Sequence, residues 1–238
     1  MTTSSSDIHN ADSRREELAA GLKDTRALIE KLAQEAGRTD IPELLPVTKF
    51  HPAEDIALLA GLGITDVAEN REQEARAKAQ ELTDMRFHMI GQVQTKKANH
   101  VARWAHSVHS VDTKKLSVAL NRGVENAQRD KLPVFIQVSY DGDTARGGVA
   151  RDGVEEIAQI IEDLPNLELR GLMVVPPLES DAKEVFSTVR ELANRLGEQL
   201  KRPLLLSAGM SADLSEAIAS GTDIVRVGTG IMGARPLG

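Results

Sequence analysis

The feature that most constrains the fold is a regular alternation of short apolar, β-branched segments with longer stretches of helical periodicity. The helical pattern is clearest over residues 183–200, where Val185, Val189 and Leu192 recur at three- and four-residue steps. Eight segments are predicted to be strands, and each except the last precedes a predicted helix; they span residues 44–49, 66–70, 86–91, 106–111, 133–140, 167–175, 204–209 and 224–230. This order is typical of an α/β fold with a parallel sheet.

The predicted fold is a single (β/α)8 TIM barrel with an extra N-terminal helix over residues 12–36. A length of 238 residues suits one such barrel. A doubly wound open sheet is the alternative, because periodicity does not show whether a sheet closes. We therefore predict one domain over residues 12–238, preceded by a polar, disordered tail over residues 1–11 that lacks the charged and apolar regions of a secretory signal.

Charge and composition argue against several classes of function. The chain has 29 Lys and Arg against 36 Asp and Glu, and this net charge of −7 argues against binding to a nucleic-acid backbone. It has no cysteine, which excludes disulfides, thiolate zinc sites and a cysteine nucleophile. No apolar run approaches the roughly 20 residues that a membrane span requires. We expect a cytoplasmic protein that binds neither nucleic acid nor membrane.

Polar residues follow the predicted strands at the edge where a TIM barrel has its active-site mouth. Lys49 ends the first predicted strand and Asn70 the second. Barrels often bind phosphate through backbone N–H groups in the loops after the seventh and eighth strands, and ordinary turns are the alternative. Those two loops contain glycines, which let an anion approach the backbone, and hydroxyl donors; the candidates are Ser207, Met210, Ser211, Gly228 and Thr229, with Ser211 predicted as the N-cap of the next helix.

Lys49 suggests covalent chemistry with an aldehyde. An ammonium in a partly dry pocket loses hydration, which favours the neutral, nucleophilic amine. Pyridoxal 5′-phosphate (PLP) carries both an aldehyde and a phosphate, so it matches a lysine and a phosphate site on one barrel mouth. A solvated Lys49 paired with a neighbouring residue is the alternative.

Arg226 lies two residues before Gly228 in the last predicted strand, so the two residues share the inward face. A guanidinium there can meet the pyridine nitrogen of PLP. Because arginine stays protonated, it would keep that nitrogen unprotonated and weaken the ring as an electron sink. The alternative is an ion pair between Arg226 and an acidic neighbour such as Asp223.

Six ordered motifs resemble those of one known family. They are "LLPVTKFHP", "DVAENREQEA", "RFHMIGQVQTKK", "LRGLMVVPP", "LSAGMSADLSEAI" and "VRVGTGIMGAR". In order and spacing they are similar to the pyridoxal phosphate homeostasis protein family, also called proline synthetase co-transcribed proteins, from about Leu18 to Arg235. The resemblance implies an alanine racemase-like N-terminal barrel, the fold type III of PLP enzymes.

The resemblance also implies roles for individual residues. Lys49 would form the Schiff base, Asn70 would lie beside the cofactor and Arg226 would face its pyridine nitrogen. The phosphate would be held by Ser207, the amides of Met210 and Ser211, and Gly228 with Thr229. Two departures from the family pattern concern the site: Ala68 replaces a frequent glycine, and Phe50 with His51 replaces a more usual Thr-Lys pair.

Two classes of function remain open at this point: a PLP carrier or buffer that acts in vitamin B6 and amino-acid homeostasis, and a fold type III amino-acid racemase. Racemisation needs an acid or base on each face of the substrate carbon, and Lys49 serves one face. In alanine racemase-like enzymes a second domain supplies the opposing tyrosine; here we expect no such domain, and the only tyrosine is Tyr140. The carrier is favoured, with no catalytic residue, with apo-PLP enzymes as recipients, and as a monomer.

Four histidines raise the question of a metal site: His88, His100, His106 and His109. His106 and His109 are three residues apart in a predicted strand and so lie on opposite faces, which makes a shared metal ion unfavourable. We predict no metal site. His88 is interpreted as a packed strand residue, with a place in the pocket wall as the alternative, and the segment Arg146 to Gly148 as a plain turn, with a loop on the cofactor rim as the alternative.

Overall fold

The sheet is built entirely from parallel strand pairs, as the alternation of strands and helices indicates. The structure is a computed structural model that describes residues 5–143 and 147–234, without side-chain detail for residues 5–10. Its strands are β1 Glu43–Pro46, β2 Asp66–Glu69, β3 Arg86–Met89, β4 Ala105–Val111, β5 Leu132–Ser139, β6 Val149–Ala150, β7 Leu167–Val174, β8 Leu205–Ser207 and β9 Ile224–Val227. All eight predicted strands are confirmed, and the short β6 is an addition that pairs with β5.

The helices alternate with the strands along the chain. They are α1 Ser5–Glu35, α2 Ala53–Gly61, α3 Glu72–Glu81, α4 Ala98–Trp104, α5 Lys114–Asn126, α6 Val154–Glu162, α7 Ala182–Leu200, α8 Leu214–Ala219 and α9 Thr229–Met232. The extra N-terminal helix begins at Ser5, seven residues before its predicted start, so residues 5–11 of the predicted tail are helical. Arg146, in the predicted turn, lies outside the described residues.

The sheet closes between its first and last strands. The strand order is β1-β9-β8-β7-β5-β4-β3-β2. A further parallel bridge joins Val47, just after β1, to Ala68 in β2. The two ends of the sheet therefore meet, which confirms the TIM barrel and shows that the open-sheet alternative is wrong.

Helix α1 lies against the outside of the barrel and fixes it at one side. Its buried residues Leu18, Leu22 and Ile29 pack in a cluster with residues of α2, α8 and β9. The guanidinium of Arg14 donates to Asp55 Oδ2 at 2.8 Å and to the carbonyl oxygen of Met232 at 2.8 Å. The N-terminal helix is thus fastened to both the first and the last helical segments that follow barrel strands.

Two large apolar layers, a smaller apolar cluster and one polar line of side chains form the buried interior. The larger layers lie between the helices and the sheet. Inside the barrel, a smaller apolar cluster contains Leu45, Val47, Ala68, Phe135, Met173 and Ile224. The polar residues buried inside the barrel include His88, Ser107, His109, Ser207 and Arg226. In the described ranges, no helix is long and apolar enough to cross a bilayer.

Replacing Leu192 by Ala should lower the free energy of unfolding by ~2–5 kcal/mol, because this α7 side chain is only 4% exposed and its loss leaves a cavity. The matched control is Leu178→Ala, since Leu178 is fully exposed in the loop after β7. Urea denaturation of both variants measures the difference. Equal destabilisation by the two substitutions would contradict the placement of α7 against the core.

Candidate functional site

Lys49 follows β1 at the rim of the barrel, in the turn that comes after the Val47 bridge. Its side chain is half-buried. The amine lies 5.9 Å from the ring centroid of Phe50. Among the described residues, the Lys49 amine has no hydrogen-bond or ion-pair partner. The alternative in which Lys49 pairs with a neighbouring residue is therefore not seen in this part of the chain. The amine is therefore left available to a ligand at the mouth.

The turn that carries Lys49 has an unusual backbone conformation at the next residue. Phe50 has a φ of 70°, a left-handed conformation that costs an L-residue about 1–2 kcal/mol. The Phe50 N–H donates to Glu74 Oε1 at 2.7 Å, and the guanidinium carbon of Arg71 lies 5.1 Å from the Phe50 ring centroid. The His51 N–H donates to the Thr48 carbonyl oxygen at 3.1 Å. These contacts hold the turn, and with it the direction of Lys49.

A buried ionic cluster lies beneath this turn. The Lys78 ammonium donates to Glu69 Oε1 at 2.7 Å, to Glu74 Oε1 at 2.7 Å and to the Thr48 carbonyl oxygen at 3.1 Å. The Thr48 hydroxyl donates to the same Glu69 oxygen at 2.6 Å. Burial raises the pKa of Glu69, even though Lys78 and Thr48 favour its ionised form. The cluster ties β2 and α3 to the backbone on the N-terminal side of Lys49.

Replacing Lys78 by Met should destabilise the fold by ~3–5 kcal/mol, because it leaves the fully buried Glu69 carboxylate without its cation. Adding Glu69→Gln to this variant should recover part of the loss. Lys31→Met is the control, since the Lys31–Glu35 pair is exposed and separated by 3.7 Å. Chemical denaturation is the measurement, and a Lys78 variant as stable as the Lys31 variant would contradict the role of the cluster.

The loop after β8 differs from its predicted form at the start of the next helix. Helix α8 begins at Leu214, and Asp213 occupies the N-cap position, so the predicted capping role of Ser211 is wrong. The Met210 N–H donates to Asp213 Oδ1 at 2.6 Å. Residues 211–213 form a turn that delays the helix, because the Asp213 carboxylate satisfies the loop backbone before the first helical turn starts.

The loops after β8 and β9 lie against each other. A Cβ atom built on Gly230 would lie 3.9 Å from Ser211 Oγ, and one built on Gly228 would lie 3.4 Å from the Val47 carbonyl oxygen. Gly209 has a φ of 96°, and its Cβ would lie 2.6 Å from that of Ala217, so this position requires glycine. Met210, Ser211 and Thr229 are exposed, and Gly228 is half-buried. The ends of β1, β8 and β9 therefore meet at one part of the rim.

Arg226 lies inside the barrel and is only 3% exposed. Its Nη1 donates to Ser207 Oγ at 2.7 Å and its Nη2 to the Val174 carbonyl oxygen at 3.1 Å. Asp223 instead pairs with Arg190 at 2.8 Å, so the predicted alternative of an Arg226–Asp223 pair is wrong. Burial lowers the pKa of Arg226 to about 10, with a nearby carboxylate partly opposing the shift, so the group is still cationic at neutral pH.

The side chain of Ser207 is directed to the barrel interior. Its hydroxyl, completely buried, accepts from Arg226 and also bonds His109 Nδ1 at 3.0 Å. Of the predicted site residues, Ser207 and Arg226 are therefore in direct contact inside the barrel. Met210, Ser211, Gly228 and Thr229 lie instead in the rim loops.

Asn70 follows β2, next to the strand that precedes Lys49. It lines a cavity of about 320 Å³ with residues at the ends of β3, β5 and β7. A Cβ atom on Gly91 would lie 2.0 Å from the Asn70 carbonyl oxygen, so only glycine allows this approach of the two loops. Tyr140 lines the same cavity, but its hydroxyl donates to Glu184 Oε1 at 2.9 Å.

The histidines occupy different environments. His88 and His109 are buried inside the barrel, whereas His106 is exposed and His100 is half-buried on α4. One group in the described residues, Asp66 with His88 and His106, has potential metal-ligand atoms within 4.8 Å of one another. Both Asp66 oxygens already accept hydrogen bonds from Arg86, which leaves this group better explained as an ion pair.

The chain matches known proteins over nearly its whole length. A family model described as the alanine racemase N-terminal domain matches residues 22–236. The pyridoxal phosphate homeostasis protein of Corynebacterium glutamicum is 56% identical over 200 residues, covering 82% of this chain and 90% of that protein. The protein of the same name from Mycobacterium tuberculosis is 41% identical over 253 residues, covering 97% and 98%.

Solved structures share the fold. PipY of Synechococcus elongatus, described as a COG0325 family member with PLP bound, has a TM-score of 0.79 and 30% identity, covering 91% of this chain and 100% of that one. Alanine racemase of Corynebacterium glutamicum has a TM-score of 0.66 and 15% identity, covering 94% of this chain and 62% of that one. The racemase likeness concerns the barrel fold alone.

Proposed function

Since the chain belongs to the pyridoxal phosphate homeostasis protein family, we propose that it binds PLP and carries or buffers it through a reversible Schiff base on Lys49. The observation that carries this proposal is a half-buried amine that has no hydrogen-bond or ion-pair partner in the described ranges and shares a rim with the loops after β8 and β9. The similarity to PipY, which has a PLP-bound structure, supports the choice of ligand.

The proposed covalent step balances with water as its only by-product. The Lys49 amine adds to the aldehyde carbon, the carbonyl oxygen leaves as water, and a carbon–nitrogen double bond remains. Hydrolysis reverses the step and returns PLP. A carrier requires this reversibility, because bound PLP must be released to recipients, which we propose to be apo-PLP enzymes.

The phosphate is proposed to lie against the two rim loops. Gly228 and Thr229 lie at the start of α9, and a Cβ atom at Gly228 would be in contact with Val47, 3.4 Å from its carbonyl oxygen. Ser211 is exposed beside them and offers a hydroxyl. The Met210 amide already donates to Asp213, so it would bind phosphate only after this side chain moves away.

The remaining proposed contacts concern the ring of PLP. Arg226 faces the pyridine nitrogen, and Ser207, which was expected to hold the phosphate, is proposed instead as the buried support of Arg226, because its hydroxyl accepts from Arg226 Nη1. Asn70 lies beside the cofactor at the edge of the neighbouring cavity. We further propose that residues 12–238 form a single PLP-binding domain, and that the protein is a monomer that works in the cytoplasm.

Absence of turnover is the second part of the proposal. Arg226 is cationic at neutral pH, and a cation at the pyridine nitrogen disfavours the protonated ring that stabilises carbanions. Racemisation also needs a second acid or base opposite Lys49. The hydroxyl of Tyr140, the only tyrosine, is engaged in a hydrogen bond to Glu184 Oε1 at 2.9 Å. These two observations favour the carrier over the racemase.

Borohydride treatment of the PLP-loaded protein should attach a pyridoxyl group to Lys49, as peptide mapping by mass spectrometry would show. Lys49→Ala should abolish the visible absorbance of the Schiff base, with an unchanged circular dichroism spectrum. Lys96→Ala is the control, because Lys96 is an exposed lysine in the short 3₁₀ helix between β3 and α4. A pyridoxyl group on another lysine of the wild-type protein would refute the assignment.

The PLP-loaded protein should leave L-amino acids unracemised when a panel of them is incubated and analysed by chiral chromatography. Alanine racemase under the same conditions provides the positive control. Turnover of any amino acid would overturn the second part of the proposal and leave PLP binding intact.

A further inference from the structure

Six side chains inside the barrel form a single file of hydrogen bonds that begins at a carboxylate and ends at a guanidinium. They are, in order, Asp66, His88, Ser107, His109, Ser207 and Arg226. The five distances between bonded atoms, in the same order, are 2.8, 2.7, 2.9, 3.0 and 2.7 Å. We call this file the interior relay. It runs from the N-terminal end of β2 to the last barrel strand, β9.

The cation at one end gives the first links of the relay a direction. A guanidinium can only donate, so Ser207 Oγ accepts from Arg226. The hydroxyl proton of Ser207 then goes to its other partner, His109 Nδ1. Burial, together with the positive charge of nearby Arg226, lowers the pKa of His109 well below its usual value, so the ring is neutral. A neutral ring that accepts at Nδ1 carries its proton on Nε2.

Donors and acceptors alternate in the same way towards the Asp66 end of the relay. His109 Nε2–H donates to Ser107 Oγ, and the Ser107 proton goes to His88 Nδ1. His88 Nε2–H then donates to Asp66 Oδ1. Burial alone would raise the pKa of Asp66, but hydrogen bonds from His88, Arg86 and Thr65 hold it well below its usual range. The relay thus ends on an ionised carboxylate.

This direction matters for the buried cation. No described carboxylate forms an ion pair with Arg226, and an unpaired charge in a protein interior is costly. In the relay every hydroxyl and imidazole dipole points its negative end towards Arg226, and aligned hydrogen bonds polarise one another. The Asp66 carboxylate at the distant end therefore stabilises the cationic guanidinium through the chain of aligned dipoles.

We propose that Ser107 and His109 are positioning residues for the ring-binding part of the site: they fix the Ser207 hydroxyl as an acceptor for Arg226 and so hold the guanidinium towards a bound pyridine nitrogen. This inference rests on the proposed function, in which Arg226 meets the ring of PLP. Nη1 is held by Ser207 and Nη2 by the Val174 carbonyl, which together define the plane of the group. If the relay is broken, the Ser207 hydroxyl proton no longer has a fixed acceptor. The hydroxyl can then turn its proton towards Arg226, which weakens it as an acceptor for the guanidinium.

The tautomers of the two buried histidines test the relay without any ligand. In the full chain labelled with ¹⁵N-histidine, two-bond ¹⁵N–¹H correlation spectra at neutral pH should show His109 and His88 with protonated Nε2 and unprotonated Nδ1. His100, which is half-buried on α4 and outside the relay, serves as the internal reference. A protonated Nδ1 or an imidazolium at His109 would overturn the proposal.

Ser107→Ala tests the effect on the site, since it breaks the relay without touching Arg226. We expect PLP to dissociate about tenfold faster and the visible band of the bound cofactor to shift. Ser107→Thr, which keeps the hydroxyl, should restore both towards the wild type. Ser117→Ala is the matched control, because this buried hydroxyl donates at 3.0 Å to the Thr113 carbonyl in α5, outside the barrel interior.

Thermal denaturation of both alanine variants separates positioning from stability. If Ser107→Ala and Ser117→Ala lower the melting temperature alike and both keep wild-type spectra and dissociation rates, the positioning role is refuted. If the wild-type protein binds no PLP at all, the proposed function fails, and the histidine tautomers alone then decide whether the relay exists.

Discussion

Parallel pairing between β1 and β9 decides which loops meet at the mouth of the barrel. It places Leu45 opposite Arg226 and Pro46 opposite Val227. The chain beyond β1 and the chain beyond β9 consequently emerge side by side, which brings the Lys49 turn next to Gly228. The lysine proposed to bind the aldehyde and the loops proposed to bind phosphate are therefore neighbours, and the bridge between Val47 and Ala68 closes the sheet beside them.

Much of the fold follows from periodicity along the chain. The strands were predictable because each buries apolar residues in a segment too short for a typical helix. The two-residue offset between Arg226 and Gly228 also correctly predicts that the Arg226 side chain faces inward. The start of α8 could not be predicted from periodicity. Ser211 and Asp213 are both residue types that favour the N-cap, and composition does not show that Asp213 takes this position while its carboxylate accepts from the Met210 amide.

The supports of the site could not be predicted, because they depend on which strands meet. In β4, the polar residues of "HSVHSV" do indicate a polar interior face. Their partners depend on register, and irregularities between Phe87 and His88, and between Val108 and Val111, shift that register. The contact between Glu69 and Lys78 could not be predicted either, because it joins a strand to the next helix beneath the Lys49 turn.

The interior relay has a consequence for how the barrel assembles. Its members come from β2, β3, β4, β8 and β9, so no contiguous half of the chain contains all of them. A half-barrel ending after β5 would leave His109 without Ser207, and the late strands alone would bury Arg226 without the chain that ends at Asp66. Partial structures would thus bury polar groups without hydrogen-bond partners, which is costly in free energy. This cost favours cooperative, all-or-none folding over a stable half-barrel intermediate.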